Sequence, residues 1–422
     1  MIISSVTVPL LGMVDTAVMG HLPESYYLGA VAAGATIFSV LFMGLNFLRM
    51  GTTGVTAQGY GAGDNAVVRE ALGQSLFTAM LLSTLMIALQ QPIIDLAIKL
   101  LSPSFEVGVY TRQYFLIRIW SAPASLGNFV LIGWLLGMQN ARGPLAIMLI
   151  INLTNITLDL VLVLVVGMTV NGVALATLVA ELAGFATGVI YVRAELAGHP
   201  GSWAQTRLLE PARYKRLLNI NANLLLRTMS LMFVFAFITA QGARMGDVIL
   251  AVNALLMNFQ LFLSYALDGI AYSAEALVGK ATGSGDRRGM LLAVKRTLQW
   301  SLLFSGLFCL AYLLTGEYVI DLLTNIDSIR LAARDYLPWL IIAPLISVWS
   351  FLYDGVFVGA TRSREMMLVM AGSMLIIFLP TWLLSRPLGN HGLWLAFMMF
   401  MAGRGVGMHI LFRRFSRLSL SD

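Results

Sequence analysis

Residues 155–166 read NITLDLVLVLVV, and in this run a single carboxylate, Asp159, stands among side chains that prefer hydrocarbon. What that acid does depends on its surroundings, which composition decides. The chain has 422 residues, 58% of them hydrophobic and 11% charged, with mean hydropathy +0.82. A soluble domain carries about a quarter charged residues, so this is an integral membrane protein. Its apolar blocks have the length of spanning helices and lack the strict alternation of a membrane barrel. The expected fold is therefore all-α, with about twelve transmembrane helices.

Hydropathy places the spans at roughly 1–19, 27–60, 67–90, 107–136, 144–166 and 173–192, with six more starting near 224, 248, 291, 331, 366 and 392. Between the two sets lies the one long polar connection. The expected organisation is a six-helix lobe over 1–192, a cytoplasmic linker over 193–221 and a second six-helix lobe over 222–422. The linker's YKRLLNI stretch (214–220) has the pattern of an amphipathic helix lying on the membrane surface.

Basic residues sort to one side. Arg69, Arg142, the basic residues of 193–216, Arg287, Arg288, Lys295, Arg296, Arg362, Arg364, Arg413, Arg414 and Arg417 fall in alternate connections and the tail. Such residues resist translocation, so both termini are expected in the cytoplasm of a bacterial inner membrane. The formal net charge of +6 is then a sign of orientation and does not imply nucleic acid. The lone Cys309 rules out a disulfide framework within the chain, and His21, His199, His391 and His409 lack metal-ligand spacing. No cleavable signal is visible at the start. GYGAGD (59–64) and ATGSGD (281–286) are Gly-rich but lack the Lys-Ser/Thr ending of a phosphate loop. No enzyme chemistry, ATP use or cofactor is expected.

Those two motifs are better read as helix ends that repeat. GWLLGMQNAR (133–142) and GVFVGATRSR (355–364) form a second pair at the same separation of about 220 residues. Two matches at one offset indicate a parallel repeat of pseudo-symmetric six-helix bundles. Carried along the chain, the offset sets Asp159 opposite Thr381, and Asp15 of the first span opposite Phe237. These acids thus belong to the first half alone.

An acid near the centre of a spanning helix costs at least about 2.5 kcal/mol on insertion scales, so something must offset it. Asn152, Asn155 and Asp159 recur at i, i+3 and i+7 and share one helical face; Thr177 and Glu181 on the next span can add oxygens. Such a group either carries a proton or ligates a small hard cation, and the structural alternative is a permanent polar clamp between helices.

The stretches VPLLGMVDTAVMGHL (8–22), NLTNITLDLVLVL (152–164) and GVALATLVAE (172–181), in a twelve-span repeat, resemble the MATE (multidrug and toxic compound extrusion) family, in its DNA-damage-inducible protein F branch. The resemblance covers essentially the whole chain. It implies a secondary antiporter that exports organic, often cationic compounds in exchange for protons or sodium. It also implies a cation or proton site at Asp15, Asn155, Asp159 and Thr177, with Asn152 and Glu181 in support. Members of the family carry a longer lead before the first helix, whereas this chain opens at Met1 already inside it.

In the second half, Asp268, Glu275 and Asp354 are candidates for contact with a cationic substrate, the alternative being pairing with Arg227 or Arg404. Asn46, Asn258, Gln260 and Tyr265 complete the candidate substrate cavity. Two carboxylates, Asp15 and Asp159, brought together in low dielectric with no basic residue close by favour protons as the coupling ion. Sodium is the alternative, since the four site residues offer only hard oxygen ligands. A flippase for a lipid-linked precursor is the other reading, disfavoured because the intramembrane charges look mostly acidic. The expected partners are small organic cations or amphipaths and membrane lipids, and the expected state is a monomer.

Overall fold

The computed structural model describes residues 24–201 and 211–418. Two compact units divide the chain between Arg216 and Leu217, inside the expected linker.

The N-terminal unit contains α1 (Ser25–Leu45), α2 (Phe47–Gly61), α3 (Asn65–Ala88), a short α4 (Gln90–Leu101), α5 (Phe105–Arg118), α6 (Ala122–Gly137), α7 (Arg142–Asp159) and α8 (Val170–Ala197). A 3₁₀ turn, Ile119–Ser121, joins α5 to α6, and a π turn, Leu160–Val165, extends α7. The C-terminal unit contains α9 (Pro211–Arg244), α10 (Asp247–Gly283), α11 (Arg287–Leu323), α12 (Asp327–Gly359), α13 (Ser363–Gly372), α14 (Leu379–Ser385) and α15 (Asn390–Leu418). A second π turn, Ser373–Phe378, links α13 to α14.

Among the described residues, eleven helical stretches are long and apolar enough to cross a membrane. They match the second to twelfth expected spans; the first lies outside the described residues. The YKRLLNI stretch forms opening turns of α9, continuous with the seventh span. No glycine or further proline separates Tyr214 from Leu224, so nothing in the sequence breaks the helix there.

Both units use the same local devices. Asp64 caps α3 by accepting from the backbone N–H groups of Ala66 and Val67 at 3.0 and 3.1 Å, and Asp286 caps α11 by accepting from Gly289 at 2.8 Å. The preceding glycines, Gly63 and Gly285, both have φ +69°, a conformation that residues with a Cβ rarely adopt. The second repeated motif fixes a helix crossing. A Cβ at Gly133 would lie 2.4 Å from the carbonyl oxygen of Arg49, and one at Gly355 would lie 2.4 Å from that of Ala271. Only glycine permits α6 to approach α2, and α12 to approach α10, that closely. Both crossings keep an offset of 222 residues, since 355 − 133 and 271 − 49 agree.

Candidate functional site

Asn152, Asn155 and Asp159 are all buried on α7, on the one face their spacing requires, and α7 packs on α8. Asp159 is fully buried and Asn155 nearly so. With its amide nitrogen toward the carboxylate, the orientation that satisfies both ends, Asn155 donates to Asp159 Oδ2 at 3.0 Å. Its carbonyl oxygen then faces the Thr177 hydroxyl at 3.2 Å. The one Thr177 hydroxyl proton can turn instead to the carbonyl of Val173 on its own helix, 3.0 Å away, while the Thr177 backbone N–H faces the Asn155 oxygen at 3.3 Å. Three of the four principal residues expected from sequence therefore meet across α7 and α8. Asp15, the fourth, lies outside the described residues.

The helix widens immediately after Asp159. Val166 N–H bonds the carbonyl of Val161, five residues back, at 2.9 Å, which marks the π geometry of Leu160–Val165. Such turns recur where a helix carries function, because they re-aim side chains and backbone carbonyls.

Glu181 sits one turn along α8 from Thr177, yet its bonds run to α6. Asn128 Nδ2 donates to Glu181 Oε2 at 2.8 Å and to the Glu181 carbonyl at 3.0 Å. The supporting residue thus belongs to a separate polar cluster. Asn128 was missed in the sequence, although Ser121, Ser125 and Asn128 at i, i+4 and i+7 form a polar stripe in an apolar span.

In the C-terminal unit the acids have basic company. Asp354 on α12 is ion-paired to Arg227 of α9 and to Arg404 of α15, whose Nη2 donates to Asp354 Oδ2 at 2.8 Å. Of the two sequence alternatives, the pairing one describes Asp354. Arg404 is 2% exposed and its guanidinium lies over the Phe400 ring, 5.4 Å from the centroid. Glu275 and Gln260 are buried, Asp268 and Tyr265 are half-buried, Asn258 is exposed and Asn46 accepts from Arg49 Nε at 3.3 Å. Asn46 lies in the N-terminal unit; in the C-terminal unit Asp268 acts electrostatically on Tyr265 and on Arg404, which joins it to the Asp354 cluster. Asn253 and Asn390 exchange reciprocal amide bonds at 2.8 and 2.9 Å, and Trp394 Nε1 donates to Asn253 Oδ1 at 2.9 Å, a buried network that the sequence did not reveal. Arg49, Arg118, Arg227 and Arg404 all lie within spans, so the intramembrane charges are less one-sided than the acids alone implied.

A family model for MatE matches residues 1–161 and 224–383, one segment in each repeat. The chain belongs to the MatE family. It is 45% identical over 420 residues to DNA damage-inducible protein F of Escherichia coli K12, covering 98% of this chain and 90% of that protein. It is 25% identical over 392 residues to the probable multidrug resistance protein NorM of Thermotoga maritima, covering 90% of this chain and 80% of the relative. An outward-facing multidrug resistance MATE family transporter of the MOP superfamily superposes with TM-score 0.91 at 17% identity, over 100% of this chain and 95% of the other. MatE proteins are multi-pass membrane transporters driven by ion gradients, which accounts for polar clusters inside apolar bundles. Among the described residues, no three His, Cys, Asp or Glu side chains converge as a metal site.

Proposed function

We propose that this MatE chain is a secondary antiporter that exports organic cations or amphipaths in exchange for protons by alternating access. Asp159 is its proton carrier, with Asn155, Thr177 and Asp15 completing the site. The observation that supports this most is the Asn155 amide bridging a fully buried Asp159 to Thr177. Neutral donors can hold the carboxylate in either protonation state without fixing it to one. The similarity to the probable multidrug resistance protein of Thermotoga maritima supports the cargo class. On this reading the protein works as a monomer among the lipids of a bacterial inner membrane, with both termini cytoplasmic. Sodium is the second candidate ion, because the same cluster presents only amide, hydroxyl and carboxylate oxygens.

The test is Asp159→Asn in proteoliposomes, with efflux of tetraphenylphosphonium followed under an imposed proton gradient. The amide keeps the shape of a protonated acid but cannot release a proton. We expect an assembled protein without coupled export; normal pumping over a wide pH range would reduce Asp159 to a clamp.

A further inference from the structure

The N-terminal unit contains a second polar cluster that the Asp159 site does not use. Four helical segments build it. α8 supplies Glu181 and α6 supplies Ser125 and Asn128. The 3₁₀ turn supplies Ser121, whose hydroxyl lies 3.4 Å from that of Ser125, and α5 ends on Arg118. Ser121, Ser125 and Asn128 are each at most 3% exposed. The Asn128 Oδ1 atom is buried and has no hydrogen-bond partner among the described residues, and the same holds for Arg118 Nε. The Asn128 oxygen can thus accept a further hydrogen bond inside the cluster, and Arg118 Nε can donate one.

Glu181 differs from Asp354 in its company. Asp354 has two guanidinium partners, whereas among the described residues no basic nitrogen lies within 4.0 Å of Glu181. Arg118 acts on it from farther away, and Asn128 provides a neutral hydrogen bond. Arg118 is itself held by Tyr114, to whose hydroxyl it donates at 2.6 Å, and by stacking 4.6 Å from the Phe38 ring centroid. The other helices packed on α8 contribute few titratable groups. α7 carries Asp159, in the neighbouring Asn155–Thr177 cluster, and Arg142 at its first residue; α1 has no charged residue, and its only titratable side chains are Tyr26 and Tyr27 at its start.

From this geometry we propose that Glu181, with Ser125 and Asn128, forms a second proton-exchange site in the N-terminal unit, one turn of α8 from the Asp159 site. The exchange is simple in its balance: the O–H bond of the Glu181 carboxyl breaks, the proton passes to water, and a proton from water later restores it. Arg118 stands beside the 3₁₀ turn that interrupts the span, so a change of bend there alters its distance to Glu181 and with it the carboxyl's hold on its proton. This deepens the proton-coupled reading and rests on it for its place in the transport cycle; the site itself does not depend on Asp159.

Infrared difference spectra of the full-length protein in lipid, recorded between acidic and alkaline pH, test the proposal without requiring a substrate. The unaltered chain should show protonated-carboxyl bands that vanish on alkalinisation. Glu181→Gln should lose one of them and Asp159→Asn a different one. Should Glu181→Gln fail to assemble, Glu181→Asp keeps an acid at the site and should shift the band through its altered bond to Asn128. A difference spectrum identical to that of the unaltered chain in either Glu181 variant would show an acid fixed in one state and overturn the proposal. Asp159→Asn leaving the spectrum unchanged would instead count against the Asp159 reading alone.

Discussion

Asn155 and Asp159 lie one turn apart on α7, and the amide of the first donates to the carboxylate of the second at 3.0 Å while leaning on Thr177 across the helix interface. The contact orders the consequences of substitution. Asn155 touches the acid directly, and Thr177 reaches it only through Asn155.

Asn155→Ala should therefore impair transport more than Thr177→Val. A hydrogen bond to a charged group contributes about 1.5–3 kcal/mol, so loss of the Asn155 donor should slow proton-driven export by about tenfold or more. Thr177→Val should have a smaller effect. Initial rates of tetraphenylphosphonium efflux from proteoliposomes, normalised to inserted protein, decide it; equal rates in the two variants would contradict the bridging geometry.

The Arg227–Asp354–Arg404 cluster predicts an effect on stability. Arg404 is almost wholly buried, and removing one partner of a buried ion pair leaves an uncompensated charge at a cost of about 3–5 kcal/mol. Arg404→Met should lower the unfolding temperature in detergent markedly, and Arg227→Met should lower it less, since Arg227 retains some exposure. Asp354→Leu combined with Arg404→Met should recover part of the loss. An Arg404→Met protein that melts like the unaltered chain would exclude a structural role for the pair.

The repeated helix crossings predict matched sensitivity in the two units. Gly133→Ala and Gly355→Ala each press a Cβ against a backbone carbonyl 2.4 Å away, and backbone cannot move aside as a flexible side chain can. Overpacking of this kind costs about 1–3 kcal/mol. Both variants should give less monodisperse protein on size exclusion. Gly44→Ala and Gly306→Ala, where nothing lies within 4 Å, serve as controls and should behave like the unaltered chain.

Much of this architecture was legible in the chain because the bilayer leaves few options. A helix in hydrocarbon must be apolar along its length, so spans could be read directly, and the polar exceptions Asn152, Asn155 and Asp159 named one face by spacing alone. The two Gly-rich pairs disclosed the repeat because turn geometry and helix contact both require glycine there. Partnership was harder to read. Whether Glu181 would join Thr177's cluster or another depended on which side of α8 meets α6, and α8, with seven glycines or alanines among its buried and half-buried positions, advertises no preferred face. Asn253 and Asn390 meet across 137 residues of sequence, and neither carries a local sign of the other. Asp354 left two alternatives open because pairing with Arg227 and Arg404 depends on three helices converging.

The last prediction concerns the ion. The Asp159 cluster brings together amide, hydroxyl and carboxylate oxygens, a set that would serve either a shared proton or a small hard cation, so geometry frames the choice and energetics must make it. Sodium needs about six oxygen neighbours, and a proton needs one carboxylate with a neutral donor beside it. The Asn155–Asp159 pair already provides the second arrangement, which favours protons. In proteoliposomes held at equal internal and external pH with a protonophore present, an imposed sodium gradient alone should drive no tetraphenylphosphonium export. An imposed proton gradient without sodium should drive it fully, and Asp159→Asn should abolish that export. Robust sodium-driven export that disappears in Asp159→Asn would keep the site and replace the ion.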